Sequence, residues 1–139
     1  MYQKLIIVGN LGRDPEMRYT PDGTPVTSFS VATNRKWSNP DGSQGEETTW
    51  FRVTAWRRLA ETCNQYLSKG RQVLIEGELK PDPQTGGPRV WTSNDGTPRA
   101  SFEVTARNVK FIGGRGEAPG AEAPGGYDEP PVMEDEIPF

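Results

Sequence analysis

The seven residues Trp50-Phe51-Arg52-Val53-Thr54-Ala55-Trp56 hold the side chains best suited to chemistry in this chain. Side chains alternate between the two faces of an extended strand. One face of the segment therefore carries Trp50, Arg52, Thr54 and Trp56, and the other Phe51, Val53 and Ala55. The second set is apolar and reads as core. The first places a guanidinium between two indoles, which does not suit ordinary core. Flat rings flanking a cation form a platform on which unpaired bases stack while the cation meets phosphate. The plainer reading packs both indoles under loops while Arg52 extends its head into water. The other two tryptophans weigh against it. Trp37 follows Arg35 and Lys36, and Trp91 comes two positions after Arg89, so all four indoles have a basic residue within two positions. Basic groups interleaved with aromatics suit a single strand of nucleic acid. A duplex binder calls for a denser basic stripe or a recognition helix. Arg57, Arg71 and Arg99 complete the candidate cations.

Other reactive-looking residues read more plainly. The chain has one cysteine and no histidine. That excludes a disulfide within the chain and any histidine-containing metal or catalytic site. Cys63 falls on an apolar helical stripe and reads as a small buried hydrophobe. Gly9, Gly12 and Gly77 read as bulges or bends of a barrel, because Gly9-Asn10-Leu11-Gly12-Arg13 matches no phosphate-loop pattern. Asp14 and Glu16 read as solvated loop carboxylates. No nucleophile–base pair or ligand cluster is in view, so the expectation is a binding protein, not an enzyme, with no cofactor and no metal.

Short strands separated by turn signals must position the platform. Residues 4–11 are an aliphatic strand. Residues 25–36, rich in Val, Thr, Ser and Phe, form a long strand after the turn dipeptide Asp22-Gly23. Asn39-Pro40-Asp41-Gly42 is a loop before a third strand over 48–56. Leu59, Cys63, Tyr66 and Leu67 then fall on one helical face, with Lys69-Gly70 as the stop signal. Residues 72–80 and 101–112 are the last two strands. Residues 81–100 read as a long exposed loop or ribbon around Trp91. A helix between the third and fourth of five antiparallel strands is the plan of an OB-fold, a closed Greek-key barrel. Strand parity groups Trp37 with Phe29 and Val31, which look like core, so the long strand should bulge or twist, or end just before Trp37.

The charge divides at the end of this body. Residues 1–112 carry 15 Lys and Arg against 12 Asp and Glu, net +3, and the remaining 27 residues carry one against seven, net −6. The overall charge of −3 thus hides a mildly basic body. The chain divides into a folded domain over 1–112, a Gly-, Pro- and Glu-rich linker over 113–133 read as disordered, and an acidic tip over 134–139. A basic body and an acidic, apolar-tipped tail suggest two tasks, one for an anionic ligand and one for protein partners. No apolar run is long enough to span a membrane, and the N-terminal aliphatic run is too short for a secretory signal, so a cytoplasmic location is expected.

These residues together resemble the bacterial single-stranded DNA-binding protein family. The resemblance covers the whole body. It is carried by Leu5-Ile6-Ile7-Val8-Gly9-Asn10-Leu11-Gly12-Arg13-Asp14-Pro15-Glu16, Thr48-Thr49-Trp50-Phe51-Arg52-Val53, Leu59-Ala60-Glu61, Tyr66-Leu67-Ser68-Lys69-Gly70 and Val73-Leu74-Ile75-Glu76-Gly77. Asp135-Glu136-Ile137-Pro138-Phe139 resembles the family's partner-binding tip, usually written with three Asp before Ile-Pro-Phe. The resemblance implies an OB-fold assembled as a homotetramer that wraps single-stranded DNA with little sequence preference. It implies that the tip recruits replication, recombination and repair proteins, and that the protein is nucleoid-associated. The family's base-stacking positions fall on Trp37, Trp50, Trp56 and Trp91, with Trp56 where many members carry Phe. Phe51 falls at a subunit-contact position. Two departures stand out: extra length at Pro81-Asp82-Pro83-Gln84-Thr85-Gly86-Gly87, and a short linker before the tip. The rival readings are an OB-fold RNA-binding protein and a primosomal adaptor with buried tryptophans.

Overall fold

The computed structural model describes residues 1–113. The expected tip, and the expected linker beyond Gly113, lie outside the described residues. The chain forms β1 (Leu5–Leu11), β2 (Glu16–Tyr19), β3 (Pro25–Ser38), β4 (Gln44–Trp56), α1 (Arg57–Tyr66), β5 (Gln72–Leu79), β6 (Arg89–Thr92) and β7 (Pro98–Phe111). The sheet order is β1-β5-β7-β4-β3-β2, and a further β1–β3 pairing closes five of these strands into a barrel. β6 pairs only with β7. This is the OB-fold expected from the element order, with two short strands added. One pairing differs from an all-antiparallel plan: β4 and β7 run parallel from Phe51 opposite Phe102 to Thr54 opposite Thr105. Strands that alternate in direction cannot close a ring of odd number, so a five-stranded barrel needs one parallel seam.

The core lies inside this ring. Ile7, Phe29, Val31, Val53, Ala55, Val73, Ile75 and Val104 all turn inward and are buried. They come mostly from alternating positions of β-branched strands, the pattern a half-buried sheet demands. The helix plugs one end with Ala60 and Cys63, followed by Leu67. Here the sequence reading needs correction, because Tyr66 is half exposed and meets the Phe111 ring at 5.7 Å, and Ala60 takes the inward position. The buried Thr27 hydroxyl donates to the Ala60 carbonyl at 2.7 Å and pins the helix to β3. Gly70, at φ 87°, ends the turn after the helix, and its N–H donates to the Leu11 carbonyl. Asp14 is not merely solvated, since its Oδ1 accepts the Lys69 N–H at 2.8 Å.

The β3–β4 pairing runs in register from Val26 opposite Trp56 to Ser38 opposite Gln44, without a bulge. Trp37 is therefore within the strand, and neither a bulge nor an early strand end is needed. The hairpin outlasts the barrel: Phe29 and Val31 are buried, Arg35 and Trp37 on the same parity are exposed, and the face that packs the core becomes a solvent face on the projecting ribbon. Among the described residues no helix is long and apolar enough to cross a membrane.

Candidate nucleic-acid interface

The outer face of β4 presents Trp50, Arg52, Thr54 and Trp56 as the alternation requires. Val53 and Ala55 are fully buried beneath them, and Trp50 is 53% and Trp56 37% exposed. Opposite these positions β3 supplies Ala32, Ser30, Ser28 and Val26. Small side chains beside large rings leave an open floor, and at a strand rise of about 3.3 Å the two indoles stand roughly 20 Å apart along it. Thr54, at the middle of the floor, is buried.

Two hairpins wall this floor. The β2–β3 hairpin contributes Arg18, Tyr19, Thr20 and Pro21, and the β6–β7 side contributes Lys80, Arg89, Trp91, Ser101 and Glu103; the groove between holds about 700 Å³. In an OB-fold, oligonucleotides are bound by the face of the second and third barrel strands and by the loops after the first and fourth. Here those strands are β3 and β4, and those loops carry β2 and β6.

The groove is cationic, though its charges are partly matched. The Arg89 guanidinium lies 4.7 Å from the Trp91 ring centroid, and its Nη1 is 3.7 Å from Glu103 Oε2. That oxygen also accepts the Ser101 hydroxyl at 2.8 Å. Arg52 forms no ion pair among the described residues.

The sequence-selected residues fall into three places. Trp50, Trp56, Trp91, Arg52 and Arg89 line the groove together. Trp37, Arg35 and Lys36 lie on the ribbon beyond it, where Arg35 sits 5.0 Å from the Trp37 centroid and pairs with Glu47 at 2.9 Å. Arg57 borders the far side of Trp56, next to Arg107 on one flank and Pro21 on the other. Arg71 is not brought to the groove. It donates to the Tyr66 carbonyl at 3.0 Å and lies 5.7 Å from the Phe111 centroid. Arg99 stands opposite Trp91 in the β6–β7 hairpin.

Sequence reasoning missed Arg18, Tyr19 and Lys80. The first two were findable: Glu16-Met17-Arg18-Tyr19 runs directly into Thr20-Pro21-Asp22-Gly23, a strand entering a hairpin turn. Gly12 also has a role other than a bend. A methyl group there would stand 2.6 Å from the Trp50 ring, so the indole rests against its backbone. Gly9 and Gly77 do serve barrel geometry: added methyls would meet the carbonyl oxygens of Ala32 and Thr105 at 2.3 and 2.1 Å, and the β5–β7 register shifts at Gly77.

The model for the single-strand binding protein family matches residues 2–112. The single-stranded DNA-binding protein of Neisseria meningitidis serogroup A is 41% identical over 117 residues, which cover 84% of this chain and 63% of that protein. The chain thus spans under two thirds of that relative's length. The single-stranded DNA-binding protein of Wolinella succinogenes is 40% identical over 134 residues, 94% of this chain and 78% of that protein. Among solved structures, the Plasmodium falciparum SSB in complex with ssDNA superposes with a TM-score of 0.66 at 24% identity, covering 81% of this chain and 96% of that one, a likeness of fold.

Proposed function

The chain belongs to the single-strand binding protein family, and from that premise we propose that it binds single-stranded DNA with little sequence preference along the groove of β3 and β4. The observation that carries the reading is the pair of exposed indoles, Trp50 and Trp56, flanking Arg52 on an open floor faced by Trp91 and Tyr19. Bases stack on the rings, and Arg52, Arg18, Lys80 and Arg89 meet phosphates. Lys36 continues the track along the ribbon, Trp37 and Arg35 take it up on the ribbon's other face where the strand passes round the edge, and Arg57 continues it past Trp56. The general range for base stacking in single-strand-binding OB-folds is about 1–3 kcal/mol per base. Each neutralised phosphate steepens the salt dependence by roughly 0.7 in logarithmic slope. A body of net +3 is weakly basic, so stacking carries much of the affinity and survives moderate salt.

The chain assembles with copies of itself, four by resemblance. Exposed Ile6 and Val8 on β1, and Phe102 packed at 5.9 Å on Phe51, support an apolar contact surface. The complex protects single strands during replication, recombination and repair in the cytoplasm, without catalysis. Asp135, Glu136, Ile137, Pro138 and Phe139 recruit the partner proteins, with the Phe139 ring entering an apolar pocket and the acidic side chains meeting cations.

The test is a titration of dT oligomers against the parent, Trp50→Ala and Trp56→Ala, with rU as competitor. Each substitution should weaken dT binding roughly five- to a hundredfold, the loss of about one stacked base. Parental affinity in both variants would remove the platform, and preference for rU would turn the reading towards RNA.

A further inference from the structure

Trp37 stands on the ribbon, where no core holds it. Its cross-strand partner is Gly45. A methyl group at Gly45 would lie 2.2 Å from the indole Cε2 and 2.4 Å from Cζ2 and Nε1. Carbon atoms do not approach so closely, so the ring fills the space that any side chain at 45 needs. The backbone gives no other reason for glycine, because Gly45 is not among the positive-φ glycines. A strand position of ordinary φ is better served by almost any other residue, since glycine weakens a strand. The ring is also tied at its edge. The Trp37 Nε1–H donates to Asn39 Oδ1 at 3.0 Å. Asn39 is itself held by the turn: its backbone N–H donates to the Ser43 carbonyl at 2.8 Å and its Nδ2 to Ser43 Oγ at 2.8 Å.

We propose that Gly45 is a positioning residue for Trp37. By presenting no side chain it lets the indole lie across the β4 backbone, which closes one side of the ring. The other side carries the Arg35 guanidinium, 5.0 Å from the ring centroid, which gives way to one base of a strand leaving the groove and meets its phosphate. The Asn39 bond sets the ring's orientation, so the ribbon carries a preformed one-base shelf and not a freely swinging side chain. Preorganisation of this kind strengthens binding by sparing the ring's rotamer entropy on association. The inference rests on the reading that the chain binds single-stranded DNA.

Two readouts test it on the full chain labelled with 5-fluorotryptophan. The Trp37 resonance is assigned by its loss in Trp37→Ala. Gly45→Ala should shift that resonance and leave the other three in place. It should weaken dT binding roughly three- to tenfold, part of one stacking contact, and should cost nothing further in the Trp37→Ala background. An unmoved Trp37 resonance overturns the proposal. So does parental dT affinity in Gly45→Ala when Trp37→Ala binds weakly, or an equal loss from Gly45→Ala in both backgrounds, which would mark a purely structural effect. Parental affinity in Trp37→Ala would remove Trp37 from the interface and overturn the proposal together with that part of the reading. A parent chain that ignores dT would sink the reading itself.

Discussion

Glu103 shows how much one side chain can restrain a basic groove. It is the most enclosed of the paired carboxylates, with only 10% of its side chain exposed. It lies among the residues that would meet phosphate, it holds Arg89 over Trp91, and it is fixed by the Ser101 hydroxyl. Its charge therefore repels the ligand and competes for the cation. Glu103→Gln keeps the hydrogen bond and removes the charge. The expected result is dT binding tighter by a factor of roughly two to five at low salt, with the salt slope steeper by about 0.7, as for one more phosphate contact. An unchanged slope would mean that Arg89 never reaches the backbone of the strand. Arg57 carries the opposite kind of restraint. It has φ 57° at the junction of β4 and α1, alone among the described non-glycine residues in that region. A left-handed conformation costs an L-residue about 1–2 kcal/mol. Arg57→Gly should thus raise stability to urea by about 1 kcal/mol while weakening dT binding through the lost cation. If stability falls instead, the side chain contributes packing that outweighs the strain.

One turn is used three times to build the walls and the ribbon. Thr20 to Thr24, Asn39 to Ser43 and Ser93 to Thr97 each pair first and last residues by a backbone hydrogen bond of 2.8–2.9 Å. Each has Asp then Gly at its third and fourth positions, and the glycines have φ of 88°, 91° and 86°. Asp22, Asp41 and Asp95 accept the backbone N–H of the closing residue. Hydrogen bonds from Thr20, Ser43 and Ser93, with those from the closing residues, hold all three carboxyls below the ordinary value. A folded value below the unfolded one contributes stability that is present above about pH 3.9 and lost as pH falls through the folded value. Amide protection, referred to the unfolded exchange rate at each pH, should therefore fall in the three hairpins below about pH 4 before it falls in the barrel strands, and Asp→Asn at each turn should flatten that hairpin's response. A simultaneous loss of protection in barrel and hairpins would contradict it. The same turns explain what was legible in the sequence. Asp22-Gly23 and Asn39-Pro40-Asp41-Gly42 mark two of them, and the five barrel strands follow from alternation and β-branching. Asp95-Gly96 passed as part of a loop because β6 is four residues long and pairs on one side only. The far wall of the groove was illegible for a related reason: Lys80 reaches the groove through the packing of the β6–β7 side, which no local period records. The β4 platform was legible because a strand's two faces are written in consecutive residues.

The whole molecule combines a sealed barrel with a divided charge, and each half of that description has a measurable consequence. Cys63 is fully buried between the helix and the barrel, and burial pushes its thiol up to about 12. It should resist alkylation at neutral pH until the barrel opens, so its labelling rate in urea should track global unfolding seen by tryptophan fluorescence. A raised folded value means that stability holds below the unfolded value near 9 and declines as pH rises towards 12, by at most about 1.4 kcal/mol per pH unit. Residues 1–112 have a net charge of +3, whereas residues 134–139 alone carry Glu134, Asp135 and Glu136. An anionic segment joined to a cationic groove competes with an anionic ligand through space, without needing a defined contact. Deleting residues 134–139 should tighten dT binding at about 10 mM salt, where charges act over roughly 30 Å. The gain should vanish near 1 M, where they act over roughly 3 Å. On the proposed reading, in which the apolar Ile137-Pro138-Phe139 segment captures partner proteins, the same deletion should abolish that capture at every salt concentration. A gain in dT affinity that persisted at high salt would point to steric occlusion of the groove, and weaker dT binding after deletion would show that the acidic end belongs to the DNA-binding surface.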